Sequence, residues 1–118
     1  MVTTLAVPRA VRAVAREGLE LHAAGFGGRG LTKGAIVRAR RLARGLPITT
    51  ETARMMRGWF RRHVYDARPG WRARKTPGWV AWQLWGGTAA WRWVERKLVL
   101  SGLAPGSRAL APSCARIP

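Results

Sequence analysis

Few residues of this 118-residue chain are suited to acid–base chemistry. His63 and Asp66 stand three positions apart, a spacing that can bring an imidazole and a carboxylate together as a proton-transfer pair. Neither a nucleophile motif nor a metal-binding set such as HExxH accompanies them. His22 and His63 also fall at predicted helix ends, where the helix dipole stabilises a cation. The sequence therefore predicts a non-enzymatic protein that uses no metal, cofactor or small-molecule substrate.

Phosphate binding is the chemistry that the composition favours. The chain carries 22 lysine and arginine residues against 5 aspartate and glutamate residues, which gives a formal net charge of +17. Only Lys33, Lys75 and Lys97 are lysine, and arginine matches phosphate in a planar, bidentate geometry that lysine cannot reproduce. An arginine-biased genome explains the choice of arginine over lysine, but it does not explain the scarcity of acids. Because excess charge opposes compaction through self-repulsion, we expect a polyanionic partner, DNA rather than RNA.

The spacing of apolar residues predicts helices throughout and no strand. Thr32, Thr49, Thr76 and Thr88 are suited to cap helix N-termini. The expected helices cover residues 8–22, 33–44, 50–63, 77–85 and 89–100. We therefore predict an all-α fold, a compact bundle of about five short helices. This helical basic domain, residues 8–100, is expected between an N-terminal tail, residues 1–7, and a disordered proline-rich tail, residues 101–118.

An uncharged stretch, Thr76–Trp91, dominates the prediction of the core. It contains four of the seven tryptophans, and its first helix is apolar nearly all round, which indicates burial on more than one side. Glycine and proline interrupt it, and a membrane-spanning helix needs about 20 apolar residues, so we expect no membrane partner. Two interpretations remain: a tryptophan-rich core, or an interface with a protein partner. The tryptophans concerned are Trp79, Trp82, Trp85 and Trp91 of this stretch, together with Trp59 of the third predicted helix.

The second and third predicted helices have the proportions of a helix-turn-helix pair, residues 33–44 and 50–63. The predicted nucleic-acid contacts fall on this pair and on the basic loop that follows it. In the third helix they are Thr50, Arg54, Arg57 and Arg61, which would face a groove of DNA. In the second helix they are Arg38, Arg41 and Arg44, which would contact phosphates. In the loop they are Arg72, Arg74 and Lys75, and the neighbouring Trp71 either stacks on an unpaired base or covers the edge of the core.

Several segments resemble a small basic domain of uncharacterised bacteriophage-encoded proteins. They are VRARRLAR (37–44), ITTETARMMRGWFRRH (48–63) and, most specifically, VAWQLWGG (80–87), which is similar to a WLLWGGD-like signature. Thr88 stands where that pattern has an acidic residue, and Val64 follows His63 where it often has a glutamate.

The resemblance implies a viral setting, in the host cytoplasm or the virion and not secreted, and it supplies no reaction. Two functions follow from the sequence. The first is DNA binding by mainly electrostatic contact of arginine rows with the backbone. The alternative is a structural or assembly protein of the virion, whose basic surface and tryptophan segment contact other virion proteins.

Overall fold

The computed structural model describes residues 3–28, 30–64, 70 and 74–100, and it confirms the all-α prediction. Five helices make up the described part of the chain, together with two strands of two residues each. The elements are β1 (Thr4–Leu5), α1 (Arg9–Ala23), α2 (Lys33–Ala43), β2 (Ile48–Thr49), α3 (Thr50–His63), α4 (Pro77–Leu84) and α5 (Gly87–Leu100). The proline-rich tail (101–118), Asp66, Trp71 and Arg72 lie outside the described residues.

Within the predicted N-terminal tail, the described residues 3–7 contact the rest of the fold. β1 pairs antiparallel with β2, with Thr4 opposite Thr49 and Leu5 opposite Ile48. The side chain of Val7 is 7% exposed and lies in the core. The expectation of no strand was therefore wrong here, because a pairing of two residues is too short to produce a recognisable alternation.

Threonine side chains fix the start of three helices, as the sequence predicts. The hydroxyl oxygens of Thr32, Thr49 and Thr76 accept hydrogen bonds from the backbone N–H three residues later, at 3.1, 3.1 and 3.2 Å. The predicted cap at Thr88 was wrong, because α5 already begins at Gly87. The Thr88 hydroxyl instead accepts a hydrogen bond from Nε1 of Trp82 at 3.2 Å, which ties α5 to α4.

The helices pack in two groups. α1 lies against α2, α4 and α5, and α3 lies mainly against α5. Both helices of the predicted helix-turn-helix pair are present, and a short connection joins them. However, α2 packs on α1 and α4, whereas α3 packs on α5. The main packing partner of α2 is therefore α1, and not α3.

A glycine allows α1 to cross α4 at very short range. A Cβ atom built on Gly18 would lie 2.6 Å from the backbone nitrogen of Leu84 and 2.8 Å from the carbonyl carbon of Gln83. Beside this crossing, Nε2 of the buried Gln83 donates a hydrogen bond to the carboxylate of Glu17 at 2.6 Å. Gln83, the polar residue inside the apolar segment, is thus paired at the same interface.

Tryptophans form the centre of the core. Trp79, Trp82 and Trp91 are at most 4% exposed, and Trp59 and Trp85 are half-buried at its edge. Phe60 packs between them, with ring centroids 4.9 Å from Trp82 and 6.1 Å from Trp91. Trp93, which sequence analysis did not assign to the core, is also buried. No helix among the described residues has the length and apolar character needed to cross a membrane.

Replacing Gly18 by alanine tests the close crossing of α1 and α4. The added methyl group collides with backbone atoms, which cannot rotate away as a side chain can. We expect Gly18→Ala to lower the free energy of unfolding by about 1–3 kcal/mol, the usual range for overpacking, as measured by urea denaturation. Gly34→Ala is the matched control, because the nearest atom to its Cβ is 3.9 Å away. Equal stability of the two variants would contradict the crossing.

Candidate nucleic-acid interface

A groove lined by arginines runs between α1 and α2. It has a volume of about 600 Å³ and is lined by Arg12, Arg16, Leu19, Arg40, Ala43 and Arg44. A smaller concavity of about 270 Å³ adjoins it along α1, where Arg9 joins Arg12 and Arg16. We call these residues together the arginine groove. Its arginines stand three or four positions apart in the sequence, so that one face of α1 and one face at the end of α2 converge.

The arginines of this groove lack acidic partners. Within the described residues, no carboxylate lies within ion-pair distance of Arg9, Arg12, Arg16, Arg40 or Arg44. The Nε atom of Arg12 is buried and has no hydrogen-bond acceptor in the described chain. Repulsion between such clustered cations costs stability, and an anion placed among them removes that cost. The groove therefore presents guanidinium groups that an anion could approach.

The sequence-predicted contacts occupy three different environments. Arg44 lies in the arginine groove, whereas Arg41 and Arg54 are exposed elsewhere on α2 and α3. Thr50 is a half-buried residue at the start of α3. Arg74 and Lys75 are exposed just before α4, and the Lys75 ammonium lies 4.9 Å from the ring centroid of Phe26.

Arg57 and Arg61 bind a carboxylate of the protein itself. Nε of Arg57 donates to Oε2 of Glu95 at 3.0 Å, and Nε of Arg61 donates to Oε1 of Glu95 at 2.9 Å. Trp91 Nε1 donates to the same carboxylate at 3.2 Å. The expectation that the row of Arg54, Arg57 and Arg61 faces outward was therefore wrong for two of its members. They join α3 to α5.

The environment of Glu95 determines its protonation. Burial of the carboxyl group acts to raise its pKa, but the hydrogen bonds and positive charges of Arg61 and Arg57 outweigh burial and hold the pKa below its ordinary value. Glu95 is consequently ionised at neutral pH, and its single negative charge offsets one of the two arginine charges within the fold.

Arg38 packs on an aromatic column instead of extending into solvent. Its guanidinium carbon lies 3.8 Å from the ring centroid of Trp85, a cation–π geometry. The Trp85 ring is in turn stacked on Trp59, with centroids 4.3 Å apart and planes 8° from parallel. His63 completes the column at 4.5 Å from Trp59. This predicted phosphate contact is therefore partly withdrawn from solvent, and its burial lowers the pKa of the Arg38 guanidinium.

The described structure contains only one member of the candidate acid–base pair. His63 belongs to the aromatic column, and its suggested partner Asp66 is outside the described residues. His22 lies in the last turn of α1, where its Nδ1 atom is buried and has no hydrogen-bond partner in the described chain. No group of three histidine, cysteine or acidic side chains that could hold a metal ion occurs in the described ranges.

The predicted contacts included neither the arginines of α1 nor Arg40. Arg12 with Arg16, and Arg40 with Arg44, are spaced four apart, so each pair could be assigned to one helix face. The sequence did not indicate that these two faces lie side by side, because that depends on the packing of α1 on α2. The helix-turn-helix prediction had instead paired α2 with α3.

Removing the Glu95 carboxylate tests its role between α3 and α5. Glu95→Gln leaves Arg57 and Arg61 without an anionic partner, so we expect a loss of about 2–4 kcal/mol in the free energy of unfolding. Glu20→Gln, an exposed position on α1, is the control.

The pH dependence follows from the lowered pKa of Glu95. A folded-state pKa below the unfolded value stabilises the protein above the unfolded pKa, and this contribution is lost as pH falls through the folded pKa. Urea denaturation of wild type and Glu95→Gln should therefore show a constant difference at neutral pH, which begins to shrink near the ordinary carboxyl pKa of about 4.3 and disappears only below the lowered folded-state pKa. A difference that does not shrink as the pH falls below the ordinary carboxyl pKa would contradict the assigned ion pairs.

The comparisons with known proteins assign this chain to no family. No protein-family model, curated protein or solved structure matches the chain. The resemblance to a bacteriophage domain therefore stays a prediction from the sequence, and the function has to be inferred from the residues and their arrangement.

Proposed function

We propose that this protein binds nucleic acid, DNA in preference to RNA, through electrostatic contact of the arginine groove with the phosphate backbone, and that it catalyses no reaction. One observation carries the proposal: five arginines converge from α1 and α2 without an acidic partner in the described structure. Guanidinium groups match phosphate oxygens in geometry as well as in charge. Such contacts position a protein on the backbone and carry no sequence information.

The distribution of charge supports backbone contact over base recognition. The candidate recognition helix α3 uses Arg57 and Arg61 to bind Glu95, so these side chains are not directed at base edges. Arg54 and Arg41 remain exposed and extend the positive surface beyond the groove. The proposal is therefore one of sequence-independent, salt-sensitive binding, since release of condensed counterions provides the free energy.

The virion structural alternative receives no support from the tryptophan segment. An interface would be favoured if Trp82 and Trp85 were exposed in the isolated chain. Trp82 is 1% exposed, and the two faces of Trp85 are covered by Arg38 and Trp59. These side chains are engaged within the monomer. The phage-related setting is retained from the sequence resemblance as part of the proposal.

Charge removal within the arginine groove tests the function. We expect the triple variant Arg16→Gln, Arg40→Gln and Arg44→Gln to bind a random-sequence duplex more weakly than the wild type. The slope of log K against log salt should fall by up to about 2.7, because each lost phosphate contact contributes about 0.9. Fluorescence anisotropy of a labelled duplex over a series of salt concentrations measures both quantities.

An equal loss of charge elsewhere provides the control. Arg62, Arg96 and Lys97 are exposed on α3 and α5 and do not line the groove. Replacing all three by glutamine removes the same charge, and we expect a smaller change in slope. Equal changes for both triple variants would show that binding is not localised to the groove. Absence of any binding by the wild type at low salt would refute the proposed function.

A further inference from the structure

Gly45 lies where the arginine groove meets the end of α2. It follows the C-cap residue Arg44 and has a positive φ of 74°. A Cβ atom built on Gly45 would lie 2.9 Å from Cδ and 3.4 Å from Nη1 of Arg12. The side chain of Arg12 therefore crosses the end of α2 directly over a residue that has no side chain. We propose that Gly45 positions Arg12 as the central phosphate contact of the arginine groove.

Arg12 is held more firmly than the other arginines of the groove. It is half-buried, whereas four others are exposed: Arg9, Arg16, Arg40 and Arg44. The Nε atom of Arg12 is buried and has no acceptor in the described chain. An exposed arginine loses side-chain freedom when it binds a ligand, and this loss reduces affinity. A guanidinium group that is already held in place loses less, so Arg12 is the arginine best prepared to bind.

Arg12 is also central by location. It lines the larger concavity between α1 and α2 and the smaller one along α1. Arg16 is the other arginine common to both, but its side chain is exposed. A phosphate in either concavity therefore lies beside the guanidinium group of Arg12.

The end of α2 explains why a cation is required at this point. The last carbonyl groups of a helix carry partial negative charge, which attracts a cation and repels a phosphate. Because Arg12 lies across Gly45, its guanidinium group is placed beside this helix end and offsets the repulsion. A side chain at position 45 would occupy the space that Arg12 uses. The inference rests on the proposed function and deepens it, since it names the arginine that binds phosphate in both concavities and the residue that holds it.

Adding a side chain at position 45 provides the test. Asparagine tolerates the left-handed conformation better than most residues, so Gly45→Asn fills the space under Arg12 with little backbone strain. We expect the slope of log K against log salt for a random-sequence duplex to fall by about 0.9, the contribution of one phosphate contact. Arg12→Gln should give the same fall, and Gly45→Asn should add nothing to it in the double variant. Fluorescence anisotropy over a series of salt concentrations measures the slopes.

Gly25→Asn is the matched control. Gly25 follows the end of α1 in the same way, with a φ of 93° and the same pair of backbone hydrogen bonds, from Gly25 to His22 and from Phe26 to Leu21. A Cβ atom there would meet no atom within 4 Å, so we expect the wild-type slope. Equal slopes for Gly45→Asn and Gly25→Asn would overturn the proposal. A further fall caused by Gly45→Asn in the Arg12→Gln background would overturn it as well.

NMR spectroscopy of the wild type gives a second measurement that does not depend on the folding of a variant at position 45. The Nε–H signal of Arg12, identified by its absence from Arg12→Gln, should be visible at neutral pH because the atom is buried. It should shift when duplex is added, and an unchanged signal at saturating duplex would overturn the proposal. If Arg12→Gln binds like the wild type while the triple variant of the groove binds more weakly, the role of Arg12 fails and the proposed function stands. If the wild type binds no duplex at low salt, both fail.

Discussion

The structure depends on the close contact of α1 with the end of α4 and the start of α5. Gly18 lets the backbone of α1 approach the backbone at Gln83 and Leu84. On the other side of the same crossing, Gly87 has a positive φ of 65°, and a Cβ there would lie 2.6 Å from Val14. Since neither contact leaves room for a side chain, α1 is held in one position on the tryptophan core. That position also places the arginines of α1 beside those of α2.

The few carboxylates determine which arginines stay available. Glu95 binds Arg57 and Arg61, and Glu17 is used by Gln83, so that acidic groups serve the contacts between helices. A partly buried carboxylate with two guanidinium partners stabilises the fold only while all its groups are paired. The arginine groove has no such carboxylate among the described residues.

The tryptophans lie at two depths. Trp82 and Trp91 fill the interior around Phe60, and their indole N–H groups are paired with Thr88 and Glu95. Large aromatic side chains supply much buried area in a small domain, where a core is otherwise hard to build. Trp59 and Trp85 lie further out, and their stacked rings form the edge of the core.

The sequence by itself determined the local structure. Three threonine caps, the glycine stop after α4 and the apolar segment between Thr76 and Trp91 set the helices and the core, since caps and helical periodicity act over a few neighbouring residues. Only the tertiary structure decided what each helix face contacts. Three contacts join residues that are far apart in the chain. β1 pairs with β2, Arg57 and Arg61 turn toward Glu95, and the arginines of α1 meet those of α2. A charged face reads the same in sequence whether it meets solvent, a carboxylate or another charged face, so its role depends on helix packing.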